Sequence, residues 1–186
     1  MKTALIIYWS KTGNTEKVAN AMKQGLEEAK VNVTIKKPEE AEALDYFDYD
    51  LVCVGCSSYS WHPPEPMANF LKKKFAEYRQ NAKIKPSAPK VPGKNARVVV
   101  TYSGPHTGID EATPVGKDIR QYIEHEGFNV IDEWYILSEF HDSLEHSTQG
   151  RLGDIRGKPT ADQQQVIKDY SRRIGKLLYS VGDHLS

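Results

Sequence analysis

Short apolar runs mark strands that are buried on both faces of a sheet. The first is Ala4 to Tyr8, and Leu51 to Gly55 and the β-branched run Arg97 to Tyr102 have the same character. An alternating stretch from Val31 to Ile35 predicts a second strand, and Phe128 to Leu137 predicts a last one. The pattern therefore predicts five strands.

Segments with apolar residues three and four positions apart separate these strands. They are Thr15 to Ala29, Met67 to Tyr78 after a pair of prolines, and Pro114 to His125. The residues Thr160 to Gln163 have the pattern of a capping box, which opens a terminal helix that continues to Leu178. This alternation predicts a doubly wound α/β fold, in which helices cover both faces of a five-stranded parallel sheet.

Two long irregular stretches interrupt the alternation. The first, Arg79 to Asn95, is basic through the lysines at positions 83, 85, 90 and 94, and the second, Ser138 to Pro159, holds His141 and His146. Loops of this length in a compact domain are usually functional or disordered. We expect solvated loops. The alternatives are that the first faces an acidic partner and that the second folds over a ligand or meets a partner.

Composition limits the classes of protein to which this chain can belong. The chain has 186 residues, 39% of them hydrophobic, which suits one domain over residues 1–186 with a substantial core. Its 25 basic and 25 acidic side chains give zero formal net charge, so no long-range field indicates nucleic-acid binding. No stretch approaches the roughly 20 apolar residues of a membrane span, and a strand pattern starts directly after Met1. We expect a cytoplasmic protein.

The two cysteines, Cys53 and Cys56, have the spacing of a dithiol centre or half a zinc site. Three residues along a strand place them about 10 Å apart on opposite faces, which is beyond disulfide reach. No second cysteine pair completes a metal site, and His141 and His146 lack the firm spacing of zinc ligands. We therefore predict no metal site.

A polar loop follows the first strand and leads directly into a helix. In an open parallel sheet, ligands bind at the carboxyl ends of the strands, where the strand order reverses. A helix N-terminus at that place offers unpaired N–H groups and a partial positive charge, which can hold a phosphate. The loop has one glycine, too few for a Walker loop or a dinucleotide fingerprint. A turn that only caps the helix is the alternative. The loop consists of Ser10, Lys11, Thr12, Gly13, Asn14 and Thr15.

The stretch from Ile6 to Thr15, continuing to Ala19, resembles the signature of the flavodoxin family at every restricted position. The resemblance implies the strand order 2-1-3-4-5 and flavin mononucleotide (FMN) as the cofactor. It further implies that hydroxyls, amide and backbone of four loop residues contact the FMN phosphate, and that two others contribute main chain. The four are Ser10, Thr12, Asn14 and Thr15, and the two are Lys11 and Gly13.

The resemblance also implies that the loop after the third strand flanks the flavin ring. Two aromatics there, Tyr59 and Trp61, suit stacking on a ring, which contributes about 0.5–1.5 kcal/mol beyond burial. The alternative places them in the core of the next helix. The family often has a glycine here and this loop has none, so a positive φ costs roughly 1 kcal/mol and counts against efficient one-electron chemistry. The loop comprises Ser57, Ser58, Tyr59, Ser60 and Trp61, followed by His62.

By the same resemblance, the loop after the fourth strand is the second ring-flanking loop, whose backbone amides reach the pyrimidine edge of the flavin. Its two glycines allow close approach. Tyr102 is a candidate cover for one flavin face, and His106 is a candidate proton donor or stabiliser of reduced flavin. An uninvolved surface histidine is the alternative for His106 and for His62. The predicted contacts are Tyr102, Ser103, Gly104, His106, Thr107 and Gly108.

Three functions fit these features. We favour an FMN-binding electron-transfer protein that passes electrons between redox partner proteins or to a small acceptor. The alternatives are an FMN-dependent NAD(P)H:quinone-type oxidoreductase and a flavin-free protein-interaction module. The signature loop counts against the interaction module, and the missing quinone-reductase motifs and nicotinamide subsite count against the reductase. Zero net charge counts against the carrier, because flavodoxins that shuttle electrons are usually strongly acidic.

Long-chain flavodoxins carry an extra segment inside the fifth strand, whereas here we expect it to follow that strand.

Overall fold

Five strands, all parallel to their neighbours, form one sheet in the computed structural model, which describes residues 1–180. The order across the sheet is β2-β1-β3-β4-β5, so the expected order is confirmed. Residues 181–186 of the predicted domain lie outside the described residues. The strands are β1 (Thr3–Tyr8), β2 (Asn32–Lys36), β3 (Leu51–Ser57), β4 (Asn95–Tyr102) and β5 (Asn129–Leu137).

Within residues 1–180, six α-helices and two 3₁₀ turns connect and follow the strands. The two short helices and the 3₁₀ turns are absent from the sequence prediction, because four or five residues carry no measurable periodicity. No helix between residues 1 and 180 is both long and apolar enough to cross a membrane. The helices are α1 (Asn14–Glu28), α2 (Pro38–Ala41), α3 (Glu65–Gln80), α4 (Thr113–His125), α5 (Leu144–Thr148) and α6 (Ala161–Ser180), and the 3₁₀ turns are Tyr46–Asp48 and Gly108–Glu111.

The core has two parts because successive strand residues point to opposite faces of the sheet. One cluster packs α1 and α6 against the sheet and contains Cys53, and the other packs α3 and α4 against the opposite face and contains Cys56. Both cysteines are free and buried, so their predicted placement on opposite faces is confirmed. Burial raises the pKa of the Cys53 thiol to about 12. The thiols are therefore core residues.

Helices α1 and α6 lie in direct backbone contact. A Cβ at Gly25 of α1 would lie 2.0 Å from the carbonyl oxygen of Lys168 in α6, so only glycine fits. The predicted capping box is confirmed, since the Thr160 amide donates to Gln163 Oε1 over 2.8 Å and the Gln163 amide to Thr160 Oγ1 over 3.3 Å. These two features fix α6 over the face that carries α1.

An ion pair between a buried arginine and a half-buried aspartate joins β4 to the edge strand β5. Arg97 is 2% exposed, and its Nε and Nη2 donate to the carboxylate of Asp132 over 2.5 and 2.8 Å. Its guanidinium lies 3.6 Å from the centroid of the Trp134 ring. Fork geometry and cation–π contact together favour a charged group that is otherwise costly to bury. The pair holds β5, and hence the segment that follows it, against the sheet.

The basic stretch 79–95 is attached to the body of the protein through three of its four lysines. Lys83 pairs with Asp45, Lys90 Nζ donates to the Phe128 carbonyl over 2.9 Å, and Lys94 Nζ donates to the Tyr49 carbonyl over 3.1 Å. Most of the stretch is exposed and none of its residues is buried, as expected for a solvated loop. Its long lysine stems lie along the surface while their ammonium groups reach fixed oxygens.

Glu126, which follows α4, has a buried carboxyl group. The residue is 2% exposed, and neither carboxyl oxygen has a hydrogen-bond partner among residues 1–180. Burial raises its pKa to about 8, while the positive charge of Lys74 opposes the shift. The ionised form of this carboxyl group is disfavoured, because burial removes its hydration and no hydrogen bond replaces it.

Stability should fall as the pH rises from about 4.5 to about 8. In that window the unfolded chain ionises Glu126 and the folded chain keeps it protonated, and each pKa unit corresponds to about 1.4 kcal/mol. Glu126→Gln should flatten this dependence and raise the free energy of unfolding at pH 8. Urea unfolding at pH 5 and pH 8 measures both effects. Glu39→Gln, an exposed carboxylate, is the control, and an unchanged slope in Glu126→Gln would contradict the assignment.

Candidate functional site

Two adjoining cavities open at the carboxyl ends of β1, β3 and β4. The first has a volume of 210 Å³ and the second 280 Å³, and Ser58, Ser60, Tyr102, Ser103 and Phe140 line both. Parallel strands bring the loops after β1, β3 and β4 to this edge, where the strand order reverses between β1 and β3. The three loops singled out in the sequence therefore surround one site.

Most of the predicted site residues line these cavities. Lys11, Gly13, Thr107 and Gly108 do not, because the Lys11 side chain extends toward Asp142 and Gly108 is buried against Leu152. Those in the first cavity are Ser10, Thr12, Asn14, Thr15, Ser57, Ser58, Tyr59, Ser60, Tyr102 and Ser103, and the second adds Trp61, Gly104 and His106.

The start of α1 is built to leave backbone donors free. Gly13 precedes the helix with φ 93°, a left-handed conformation that suits glycine, and it has no side chain to cap the helix. Its own amide donates to Ser10 Oγ over 3.1 Å, which closes the loop into a compact turn. The first-turn N–H groups and the positive end of the helix dipole thus face the first cavity. This arrangement can hold an anionic group such as phosphate.

Thr15 anchors the loop to the sheet. Its residue is 2% exposed, and its hydroxyl lies 2.8 Å from the hydroxyl of Thr101 in β4. Thr101 also lines the first cavity and is a site residue that the sequence did not single out, since a threonine inside a β-branched strand looks like any other strand residue.

The segment 138–159 packs against the start of α1. Asn14, which is 5% exposed, donates from Nδ2 to the Glu139 carbonyl over 2.9 Å, and its Oδ1 lies 3.3 Å from Nε2 of His141. Lys11 and Asp142 add an exposed ion pair of 3.4 Å. The segment follows an uninterrupted β5, as expected, but the prediction of a solvated loop is wrong.

Internal hydrogen bonds explain why this segment is folded. The Ser147 hydroxyl, 1% exposed, donates to the Phe140 carbonyl and accepts from the Phe140 amide, each over 3.0 Å. The amide of Ile155 donates to the Ser147 carbonyl over 2.8 Å. One buried serine therefore satisfies backbone groups that an exposed loop would leave to water. As a result, Phe140 and His146 are brought to the second cavity.

A tight turn without glycine forms the wall after β3. Tyr59 and His62 exchange two backbone hydrogen bonds of 3.0 and 2.9 Å, and the central residues Ser60 and Trp61 have φ values of 44° and 66°. Two successive positive φ values are those of a type I′ turn. The loop thus holds left-handed residues at a cost of roughly 1–2 kcal/mol each.

The aromatic residues of this turn face outward. Trp61 is 57% exposed and Tyr59 is 40% exposed, and α3 begins only at Glu65. The alternative that they belong to the core of that helix is therefore wrong. The Tyr59 ring packs edge-on against Trp9, with centroids 5.6 Å apart, which fixes one aromatic of the pair.

The second cavity combines aromatic rings with ionisable groups. The His146 ring lies 5.4 Å from the His106 ring and 5.2 Å from the Phe140 ring, both in edge-on contact. Burial raises the pKa of the Tyr102 hydroxyl, which keeps that ring neutral. Among residues 1–180, no group of three or more His, Cys, Asp or Glu side chains is placed to hold a metal ion.

Several lining residues were not among the contacts predicted from sequence. They come from β4 itself, from the loop and 3₁₀ turn after β4, and from the segment after β5. His141 and His146 were weakly indicated by the sequence, since both are titratable groups in a long loop. The additional residues are Thr101, Pro105, Glu111, Ser138, Glu139, Phe140, His141, Asp142 and His146.

A parallel sheet of order 2-1-3-4-5 with an uncapped helix start at its switch point is typical of the flavodoxin-like class of α/β proteins. A family model described as flavodoxin matches residues 6–131, which is more than half of the chain. The chain belongs to the flavodoxin family, whose members bind a flavin and transfer electrons.

Individual proteins show the same similarity. A flavodoxin from Maridesulfovibrio salexigens is 28% identical over 112 residues, which cover 60% of this chain and 75% of that protein. The structure of a flavodoxin from the domain Archaea matches with a TM-score of 0.64 and 18% identity, over 95% of this chain and 99% of that one. The flavodiiron protein from Giardia intestinalis matches with a TM-score of 0.65 and 11% identity, over 99% of this chain and 38% of that one. At such identities the two structures show a shared fold.

Asn14→Ala should loosen the segment over the first cavity, because it removes both hydrogen bonds to Glu139 and His141. We expect amide hydrogen exchange in residues 138–142 to accelerate about tenfold, while α1 itself remains protected. Lys11→Ala removes only the exposed ion pair and is the control, for which we expect no change. Equal exchange in Asn14→Ala and the parent protein would show that other contacts hold the segment.

Proposed function

We propose that this protein binds FMN and passes electrons between redox partner proteins. The observation that carries the proposal is the uncapped start of α1, which opens on the first cavity through the signature loop. A domain without a phosphate ligand has no need of free amides at the switch point of its sheet. When bound, FMN supplies reversible uptake of electrons.

The two cavities suit the two ends of FMN. In this proposal the amides of the Ser10–Thr15 loop and the hydroxyls of Ser10 and Thr12 hold the phosphate in the first cavity. The ring belongs in the second cavity, where Trp61 and Tyr102 supply aromatic surface. A polar end and an aromatic end, joined through shared lining residues, form the kind of concave site that binds nucleotide cofactors.

We also propose that residues 1–186 form one domain that acts in the cytoplasm. The two core clusters lie on the two faces of the same sheet, which supports one folding unit over the described residues. Both cysteines are free, which fits a reducing compartment.

A second candidate function is the FMN-dependent NAD(P)H:quinone-type oxidoreductase. The observation that favours it is the His106–His146 pair in the second cavity, since reducing a quinone by two electrons also requires protons. The exposed rings of Tyr59 and Trp61 favour the carrier, because they offer surface to a partner protein at the edge of the site.

FMN should bind the purified protein, and Thr12→Glu should weaken that binding at least about tenfold by placing a negative charge beside the phosphate. Thr12 is exposed, so neither this variant nor the neutral control Thr12→Gln should disturb folding. Titration followed by quenching of FMN fluorescence measures the affinity. A parent protein that binds no FMN would refute the proposed function and favour the interaction module. Equal affinity of the two variants would remove Thr12 from the site.

Electron delivery separates the carrier from the reductase. We expect the FMN-loaded protein, once reduced with dithionite under anaerobic conditions, to reduce cytochrome c, which accepts one electron at a time. With NADH or NADPH and benzoquinone, we expect no faster oxidation of the nicotinamide than free FMN gives. Rapid oxidation that depends on the protein would establish the reductase instead.

A further inference from the structure

Glu111 connects two walls of the second cavity. It is the last residue of the 3₁₀ turn Gly108–Glu111 and lines the cavity itself. Its carboxylate oxygen Oε1 accepts hydrogen bonds from the backbone amides of His106 over 2.8 Å and Thr107 over 2.7 Å. Its backbone carbonyl accepts a hydrogen bond from the Ser58 hydroxyl, in the loop after β3.

Through these contacts, Glu111 is bonded to two loops of the site. The side chain of Glu111 fixes the loop after β4, and its main chain is bonded to the loop after β3. A bond from Ser58 N to the Thr101 carbonyl, 2.9 Å long, then continues this connection to β4. Losing the Glu111 side chain would therefore free the amides of His106 and Thr107 while leaving the 3₁₀ turn and its carbonyl in place.

The same contacts determine which hydrogen-bond donors a ligand finds in the second cavity. The amides of His106 and Thr107 are the donors expected at the pyrimidine edge of the flavin, and here a carboxylate oxygen occupies both. Hydrogen bonds to a charged acceptor are roughly twice as strong as those between neutral groups, so a neutral ring carbonyl is a poor competitor. The carboxylate group thus lies on both amides at the wall of the second cavity.

We propose that Glu111 is a positioning residue for the flavin ring: it holds the loop after β4 in its binding geometry, remains bonded to the His106 and Thr107 amides, and disfavours the reduced cofactor. This inference rests on the proposed function only for its last part. Reduction adds electrons to the ring, and a nearby carboxylate makes added negative charge less favourable.

Ligand-free protein tests the first part of the proposal. In Glu111→Ala we expect amide exchange at His106 and Thr107 to accelerate at least about tenfold, because both amides lose their acceptor. Glu111→Gln keeps an acceptor oxygen on a side chain of the same length and should retain most of the protection. Unchanged exchange in Glu111→Ala would overturn the positioning role, whether or not the protein binds FMN.

The affinity for FMN in its two redox states tests the second part. We expect Glu111→Gln to bind oxidised FMN within about threefold of the parent, and Glu111→Ala to bind it about tenfold more weakly. Glu111→Gln should also raise the ratio of reduced to oxidised affinity on the order of tenfold, since the charge is gone but the bonds remain. The ratio follows from the midpoint potentials of free and bound FMN.

Asp110→Asn is the matched control, because Asp110 lies in the same 3₁₀ turn, is exposed, and loses the same charge. Its affinity ratio should stay within about twofold of the parent. Tighter binding of oxidised FMN by Glu111→Ala would show that the ring displaces the carboxylate, which overturns the proposal. An unchanged affinity ratio in Glu111→Gln would show that the charge of Glu111 does not act on the flavin ring. If the parent binds no FMN, the proposed function fails, and the exchange result at His106 and Thr107 still stands.

Discussion

Parallel pairing of β1 with β3 and of β3 with β4 is the constraint on which the site depends. Because the strands run in one direction, their three following loops leave the sheet at the same edge. Helices on both faces then have to return the chain to the opposite edge each time, and they bury the sheet in doing so. The loops contribute little to the core and are free to differ in sequence, which is why they carry the chemistry.

Each loop is held by side chains that satisfy its own backbone. Ser10 accepts from the Gly13 amide, Glu111 accepts from the His106 and Thr107 amides, and Ser147 bonds both polar groups of Phe140. The loops are therefore built before any ligand arrives, which lowers the entropic cost of binding. The start of α1 is treated differently, because Gly13 offers no capping side chain. This contrast supports the proposal that the start of α1 holds an anion.

The fold could be predicted from sequence because its signals are local. Apolar runs and helical periodicity place all five strands and the four long helices, with boundaries within about two residues. The loop from Ser10 to Thr15 was also visible, since its residues are consecutive. Glu111, Phe140 and His146 could not be found in this way. They enter the site through contacts between segments far apart in the chain, which periodicity and motifs do not report.

The expectation for the segment 138–159 failed for a related reason. Its composition is that of a solvated loop, with many glycines and charges, yet a single buried serine and the side chain of Asn14 fix it in place. A hydroxyl and an amide with several partners can order many residues, and nothing in the local sequence distinguishes them from ordinary surface groups.

The turn at Ser60 and Trp61 introduces backbone strain into the site. Both residues are held at positive φ, a conformation that a bulky side chain such as an indole rarely adopts. The most exposed aromatic ring of this site is therefore held on a backbone of positive φ, at the rim of the second cavity.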